Sequence, residues 1–312
     1  MSTIPQSSSG SHEASSSAPP SVEAAAEGRT RWHLPKGALA IAALALAGAM
    51  VFLYPATAAW LSQYDQSRVI SELGTNGVRH LPQEQAEALI AARQYNDELV
   101  SSAELVANER KPFAEGGAAA DPRYESLLNG DANGAMGRLR IPAIAVDLPI
   151  YHGTDDETLA RGVGHLRGTS LPVGGPSTHS VLTAHRGLAE ATLFDRLDEL
   201  GIDDTFRIEV FGEVLTYRVI ETKVVEPSDT ASLVPRYGQD LVTLVTCTPL
   251  GINSHRILVT GERVIPTPVA DVQQAGASPD IPGAPWWAIG LAGTVVVLTY
   301  YVWRAGRPRG AL

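Results

Sequence analysis

Thr243-Leu244-Val245-Thr246-Cys247-Thr248-Pro249-Leu250-Gly251-Ile252-Asn253-Ser254-His255-Arg256 is the stretch on which the reading of this chain turns. The apolar, β-branched run from Leu241 to Val245 predicts a buried strand. It ends at Cys247, the single cysteine in 312 residues. Pro249, Gly251 and Asn253 mark a loop, and a second β-rich run follows from Arg256 to Val264. If the two runs pair as an antiparallel hairpin, Cys247 and Arg256 face each other across the mouth of the loop. A thiol then sits beside a permanently charged guanidinium with several hydrogen-bond donors. That arrangement suits a nucleophile whose tetrahedral intermediate carries an oxyanion.

A cysteine nucleophile also needs a proton partner. Ser180 to Gly187 supplies one, a short apolar strand ending in His185 with Gly187 opening a turn. Both groups then stand at strand ends, where a β scaffold presents them side by side at a rim. Of the other histidines, His12, His33 and His80 lie outside the β-rich region, and His152, His165 and His179 read as packing residues. His255 neighbours Arg256, so on a strand it faces the other way. Arg186 reads as a surface charge. The chain holds no Gly-x-Ser-x-Gly elbow and no His-Glu-x-x-His pair. Asp155-Asp156-Glu157 and Asp203-Asp204 read as turn and cap residues. One cysteine excludes an internal disulfide and a cysteine-based metal cluster, and no cofactor or metal is expected. A formal charge of −10 argues against nucleic acid as a partner.

Taken in order, residues 1–36 are Ser-, Ala- and Pro-rich and predict a disordered tail. Arg29, Arg31 and Lys36 precede an apolar run at 37–57, expected as a membrane-spanning signal anchor, with a cleavable signal peptide as the alternative. Residues 58–110 form an arm or stalk, with a helix predicted from Gln83 to Arg110 by the spacing of Leu89, Ala92, Leu99, Ala103 and Val106. Residues 111–135 lack periodicity and read as a loop. From 136 to 265 short strands alternate with turn signals, and helical turns are predicted at Asp155–Arg161 and Glu190–Leu197. This pattern implies a mainly β sandwich or barrel. A Pro-bearing linker at 266–285 leads to a second apolar run at 286–303, bounded by aromatics, and a basic end at 304–312. Cations on the outer flank of both runs place both termini in the cytoplasm and residues between the spans outside.

The strings Leu182-Thr183-Ala184-His185-Arg186-Gly187, Thr243-Leu244-Val245-Thr246-Cys247-Thr248-Pro249 and Asn253-Ser254-His255-Arg256 resemble those of the sortases, and more narrowly the pilus-building class C sortases. The similarity runs from about Met136 to Val264. It implies a closed eight-stranded β-barrel with short helices, an N-terminal helical arm and a lid loop, here flanked by two transmembrane helices. It further implies a cysteine transpeptidase with Cys247 as nucleophile, His185 as general acid/base and Arg256 as oxyanion and substrate stabiliser. The implied substrate is an LPXTG-type sorting signal on pilin subunits or surface proteins, cut between Thr and Gly. The implied acceptor is the lysine amine of a pilin, or a cell-wall precursor if the chain is a housekeeping sortase. In class C sortases an Asp-Pro-aromatic lid covers the site. Lys111-Pro112-Phe113 matches that triplet except at Lys111, which cannot pair with Arg256 as Asp would; Tyr124 of Asp121-Pro122-Arg123-Tyr124 is the alternative aromatic. A cysteine hydrolase or L,D-type transpeptidase, and a non-enzymatic adhesion or scaffold module, are the competing readings.

Overall fold

The computed structural model describes residues 32–79, 82–105, 122–129 and 134–307. Eight strands form the centre: β1 (Ala135–Ile141), β2 (Val146–His152), β3 (Val163–His165), β4 (Thr178–Thr183), β5 (Thr205–Val210), β6 (Glu213–Val225), β7 (Asp240–Thr248) and β8 (His255–Arg263). They close into a barrel in the order β1-β2-β3-β4-β7-β8-β6-β5. The expected eight-stranded fold is therefore what the chain adopts. Period-two alternation drives it, since one set of side chains fills the interior. Leu139, Ile150, Leu182, Phe206, Ile208, Tyr217, Val242, Leu244 and Val259 belong to that core. Gly261 is required by packing: a Cβ there would lie 2.6 Å from the Phe206 ring. Opposite-parity residues Val181, Val245 and Leu258 make a smaller cluster on the outer face, covered by Leu233 from the β6–β7 connection.

Among the described residues five α-helices accompany the barrel: α1 (Lys36–Arg79), α2 (Pro82–Leu105), α3 (Asp156–Arg161), α4 (Val269–Gln273) and α5 (Trp286–Ala305). The helix that carries the first apolar run continues unbroken through Pro55 to Arg79, 44 residues in all, and its polar far half packs Val69 and Leu73 against Ala135 and Tyr151. α2 is the predicted arm, helical throughout its described residues from Pro82 to Leu105. Leu89, Ala92 and Tyr95 join the main core. Asn96 locks the arm down, donating to Leu171 O at 3.0 Å and accepting from Leu171 N at 2.7 Å.

Two expectations are corrected here. No helix spans 190–197; only a 3₁₀ turn at Leu197–Glu199 is present. Asp195 instead accepts from Gly187 N and, through its own carbonyl, from Arg186 Nε, which holds the segment as a loop. Nor is 266–285 a free linker. Asp271 accepts from Arg207 at 3.0 Å and from Thr216 at 2.8 Å, and Ala277 O accepts from Arg138 at 2.7 Å. These bonds strap the segment over a row of buried outer-face arginines, Arg138 bearing a two-pronged bond to Asp147 besides.

α1 and α5 are each long and apolar enough to cross a membrane, and little of either is buried in the protein. They pair antiparallel. Trp32 Nε1 donates to Trp303 O at one end, and Trp60 Nε1 donates to Gly283 O at the other, where its ring meets Trp287 edge-on. The expected tail at 1–31, the lid triplet Lys111, Pro112 and Phe113, and residues 308–312 of the basic end lie outside the described residues.

Candidate active site

The β7–β8 hairpin has the register expected from sequence: Cys247 is the direct partner of Arg256. On its other side β7 pairs in parallel with β4, Thr183 opposite Val245. The ladder carries on past the strand, with Ala184 N donating to Val245 O at 3.2 Å and Thr246 Oγ1 donating to Ala184 O at 2.8 Å. Continued by one residue, this register brings His185 to the level of Cys247, so that with neighbouring strands about 4.8 Å apart His185, Cys247 and Arg256 would make a row at one end of the sheet. Parity fixes the side. Val181, Val245 and Leu258 pack on the outer face, and positions at even spacing along the same strands share it, Cys247 two after Val245 and Arg256 two before Leu258. Cys247, His185 and Arg256 are all partly exposed. The row is the upper continuation of the outer apolar cluster, which forms its floor.

Each loop that carries a member of the row is fixed. Phe194 N donates to His185 O at 3.1 Å, and Phe194 is fully buried. Arg256 Nη1 donates to Asn253 O at 2.8 Å and to His255 O at 3.0 Å. Both bonds use one terminal nitrogen, and a guanidinium has three further N–H groups with which to meet a substrate oxygen. Asn253 takes a positive φ of 56°, a conformation Asn tolerates, to turn the loop back toward that nitrogen.

Arg186 corrects the sequence reading. It is no surface charge: its side chain is 10% exposed and bonds Asp198 at 2.7 Å. Its Nε donates to Asp195 O at 3.0 Å, and Nη1 makes a long contact of 3.4 Å to Thr248 Oγ1. It thus ties the loop after His185 to the residue after Cys247, a link that no motif revealed because the partners are distant in sequence. Arg186→Ala is expected to lower peptide cleavage about ten- to a hundredfold, since misplacing a catalytic group by an ångström has that cost. Cleavage rate and Cys247 alkylation, measured beside an unchanged circular dichroism spectrum, check it.

Two other histidines are buried partners, as expected. His165 Nε2–H donates to Ser170 O at 2.9 Å, leaving Nδ1 to accept from the Tyr124 hydroxyl at 2.8 Å. His179 Nδ1–H donates to Val234 O at 3.2 Å, and Nε2 pairs with Thr243, which pairs in turn with Thr260. Burial pushes each down to about 4 from 6.5, so both rings are neutral. The unfolded chain therefore binds more protons between those values. Stability is full above pH 6.5 and falls as pH drops toward 4, by on the order of 3 kcal/mol per ring at the limit. A melting temperature that falls over that interval, and falls less in His179→Gln, is the expected result.

Tyr124 is a second correction. It is 3% exposed, joins the main core, and accepts from Gly153 N at 3.1 Å. It packs edge-on against His152, on the interior side, whereas Cys247 faces out. Among the described residues no group of three or more His, Cys, Asp or Glu is placed to hold a metal.

Comparison with known proteins meets this geometry from another side. A sortase domain model matches residues 139–264, which include all three members of the row. Sortase D of Bacillus subtilis is 34% identical over 133 residues, covering 42% of this chain and 64% of that protein. The chain spans 58% to 64% of the length of the curated relatives it matches. Among solved structures, sortase C-1 from Actinomyces oris is 49% identical and superposes with a TM-score of 0.51, over 58% of this chain and 98% of that one. Sortase C1 from Streptococcus agalactiae is 37% identical with a TM-score of 0.58, over 64% of this chain and 100% of that one. A likeness that runs the whole length of a solved relative at nearly half identity, on the same barrel, places this chain in the sortase family.

Proposed function

We propose that this chain is a membrane-anchored cysteine transpeptidase of the class C type, which joins pilin subunits. What supports the reading is Cys247 opposite Arg256 on β7 and β8, with His185 two residues beyond the end of β4, the strand that pairs with β7. The Cys247 thiolate attacks the Thr carbonyl of an LPXTG-type signal. Sulfur is nucleophilic in its ionised form. An Sγ–C bond forms, and the former carbonyl oxygen takes the negative charge, met by Arg256. As the C–N bond to Gly breaks, His185 gives a proton to the departing amine. A lysine amine of the next subunit then attacks the thioester, His185 takes up its proton, and the thiolate leaves. The product is an isopeptide bond.

The two spans fit this task. With basic residues on the outer flank of each, both termini are cytoplasmic and the barrel faces outward. Enzyme and membrane-held substrate then share one surface, which raises their effective concentration.

The acceptor is tested directly by offering the full chain, in detergent, an LPXTG peptide together with either pilin or a cell-wall peptide amine. Joining to pilin lysine is the expected product; joining to the cell-wall amine alone would make the protein a housekeeping sortase. Two of the similar solved structures are described as lid mutants, one of them a sortase C1. By that likeness Phe113, with Lys111 and Pro112, supplies the lid in this chain. Phe113→Ala is expected to speed alkylation of Cys247 several-fold in the free enzyme; an unchanged rate assigns no covering role to that ring.

A further inference from the structure

We infer that the mouth of the candidate site is seated on the outer surface of the bilayer, with Leu188, Leu250 and Ile252 in contact with lipid. The inference rests on the membrane-anchored reading above and adds where the site lies relative to the lipid.

Depth can be read along α1. The Trp32–Trp303 and Trp60–Gly283 bonds mark the two ends of the α1–α5 pair. At 1.5 Å per residue the helical stretch between them, from residue 36 to 60, is roughly 36 Å long, enough to cross the hydrocarbon core and reach into the headgroups. Trp60, stacked on Tyr64 and edge-on to Trp287, forms an aromatic group of the kind found at a membrane interface. Tyr54 lies roughly 9 Å deeper, at the boundary of headgroups and acyl chains. Its hydroxyl donates to Glu190. Glu190 is in the loop that follows His185, so that loop reaches the level of the Tyr54 hydroxyl.

The rest of the mouth goes with it. Gly187 has a φ of +75°, and a Cβ there would come within 2.4 Å of Leu250, so the loop after His185 and the loop after Cys247 rest on each other. Leu250 is nonetheless 55% exposed, Ile252 73% and Leu188 37%. Single exposed apolar residues need no explanation. Three on touching loops, at the depth of a membrane helix's own interfacial tyrosine, have an occupant: the lipid that holds α1 and α5. The opposite end of the barrel points away. β7 runs nine residues from Asp240 to Thr248, so Tyr237, just before it, lies roughly 30 Å from the mouth. A sorting signal emerging from the membrane would meet Cys247 at the surface it leaves.

The test uses the full chain with Cys247→Ala as background, reconstituted in phosphatidylglycerol and phosphatidylcholine vesicles. One environment-sensitive fluorophore is attached at Leu250→Cys, Ile252→Cys, Tyr237→Cys or Val296→Cys. Lipids brominated near the glycerol end or near the bilayer centre serve as quenchers. The expected result is loss of emission at 250 and 252 with the shallow quencher, none at 237, and loss at 296 with the deep quencher. Quenching at 296 with none at 250 and 252 overturns the inference and leaves the anchoring intact. No quenching at 296 overturns the anchoring itself, and the inference with it.

Discussion

Cys247→Ala is expected to abolish thioester formation and to lower peptide cleavage by about 10⁴-fold or more, the scale of loss when a covalent nucleophile is removed. The substitution is mild for the fold. Cys247 is partly exposed at the end of β7, outside both apolar clusters that hold that strand, and its backbone pairing with Arg256 needs no side chain. A chain with an unchanged melting temperature and no activity separates chemistry from stability. Cleavage near the wild-type rate, followed by chromatography of the peptide products, would remove the thiol from the reaction. No other group on the outer row is an ordinary nucleophile, so a small residual rate would not be reassigned to a neighbour.

Arg256→Ala carries the second large effect, a fall in kcat of about 10²–10³-fold, the cost of losing an oxyanion donor. Arg256 does more than add charge. It sits opposite Cys247 in the ladder, with Nη1 held by Asn253 O and His255 O, so the remaining N–H groups are fixed in direction. Lysine keeps the charge without the planar fork, and Arg256→Lys should recover only part of the loss. Alkylation of Cys247 by a small haloacetamide passes through no oxyanion. Its rate should fall much less than cleavage in Arg256→Ala. Equal losses in both assays would show that Arg256 acts on the thiolate and not on the intermediate.

Much of this site was legible because strand periodicity is a local property. Alternation of Leu215, Tyr217 and Val219 with polar Thr216 and Arg218 predicts β6, and antiparallel pairing across the loop, if it forms, puts Cys247 opposite Arg256, as the ladder does. Position relative to β4 was legible only as a strand ending at His185; the parallel pairing that brings it beside Cys247 is long-range and leaves no local trace. β3 leaves no periodic signal in the sequence, for a physical reason. Val163-Gly164-His165 is too short to show a period, and Gly164 is there because a Cβ would meet Gly153 O at 2.4 Å. The helix expected at 190–197 failed because side-chain and backbone bonds from Arg186 and Gly187 to Asp195 compete with helical ones. Arg186 and the strap at Asp271 share one lesson: a charged residue on a β surface looks solvated until the segment that covers it is known. Tyr124 was weighed as a lid aromatic on its Asp-Pro context, and burial against His165 decides otherwise.

The central claim is that Cys247 is the atom to which a sorting signal is joined. It is tested most directly by incubating the full chain with an LPXTG-type peptide, stopping the reaction in acid and weighing the intact protein. The account predicts a mass gain equal to the peptide up to and including its threonyl residue, released by hydroxylamine, mapping to the fragment that holds Cys247 and absent in Cys247→Ala. Peptide cleavage without any such adduct, or an adduct that survives in Cys247→Ala, would contradict it.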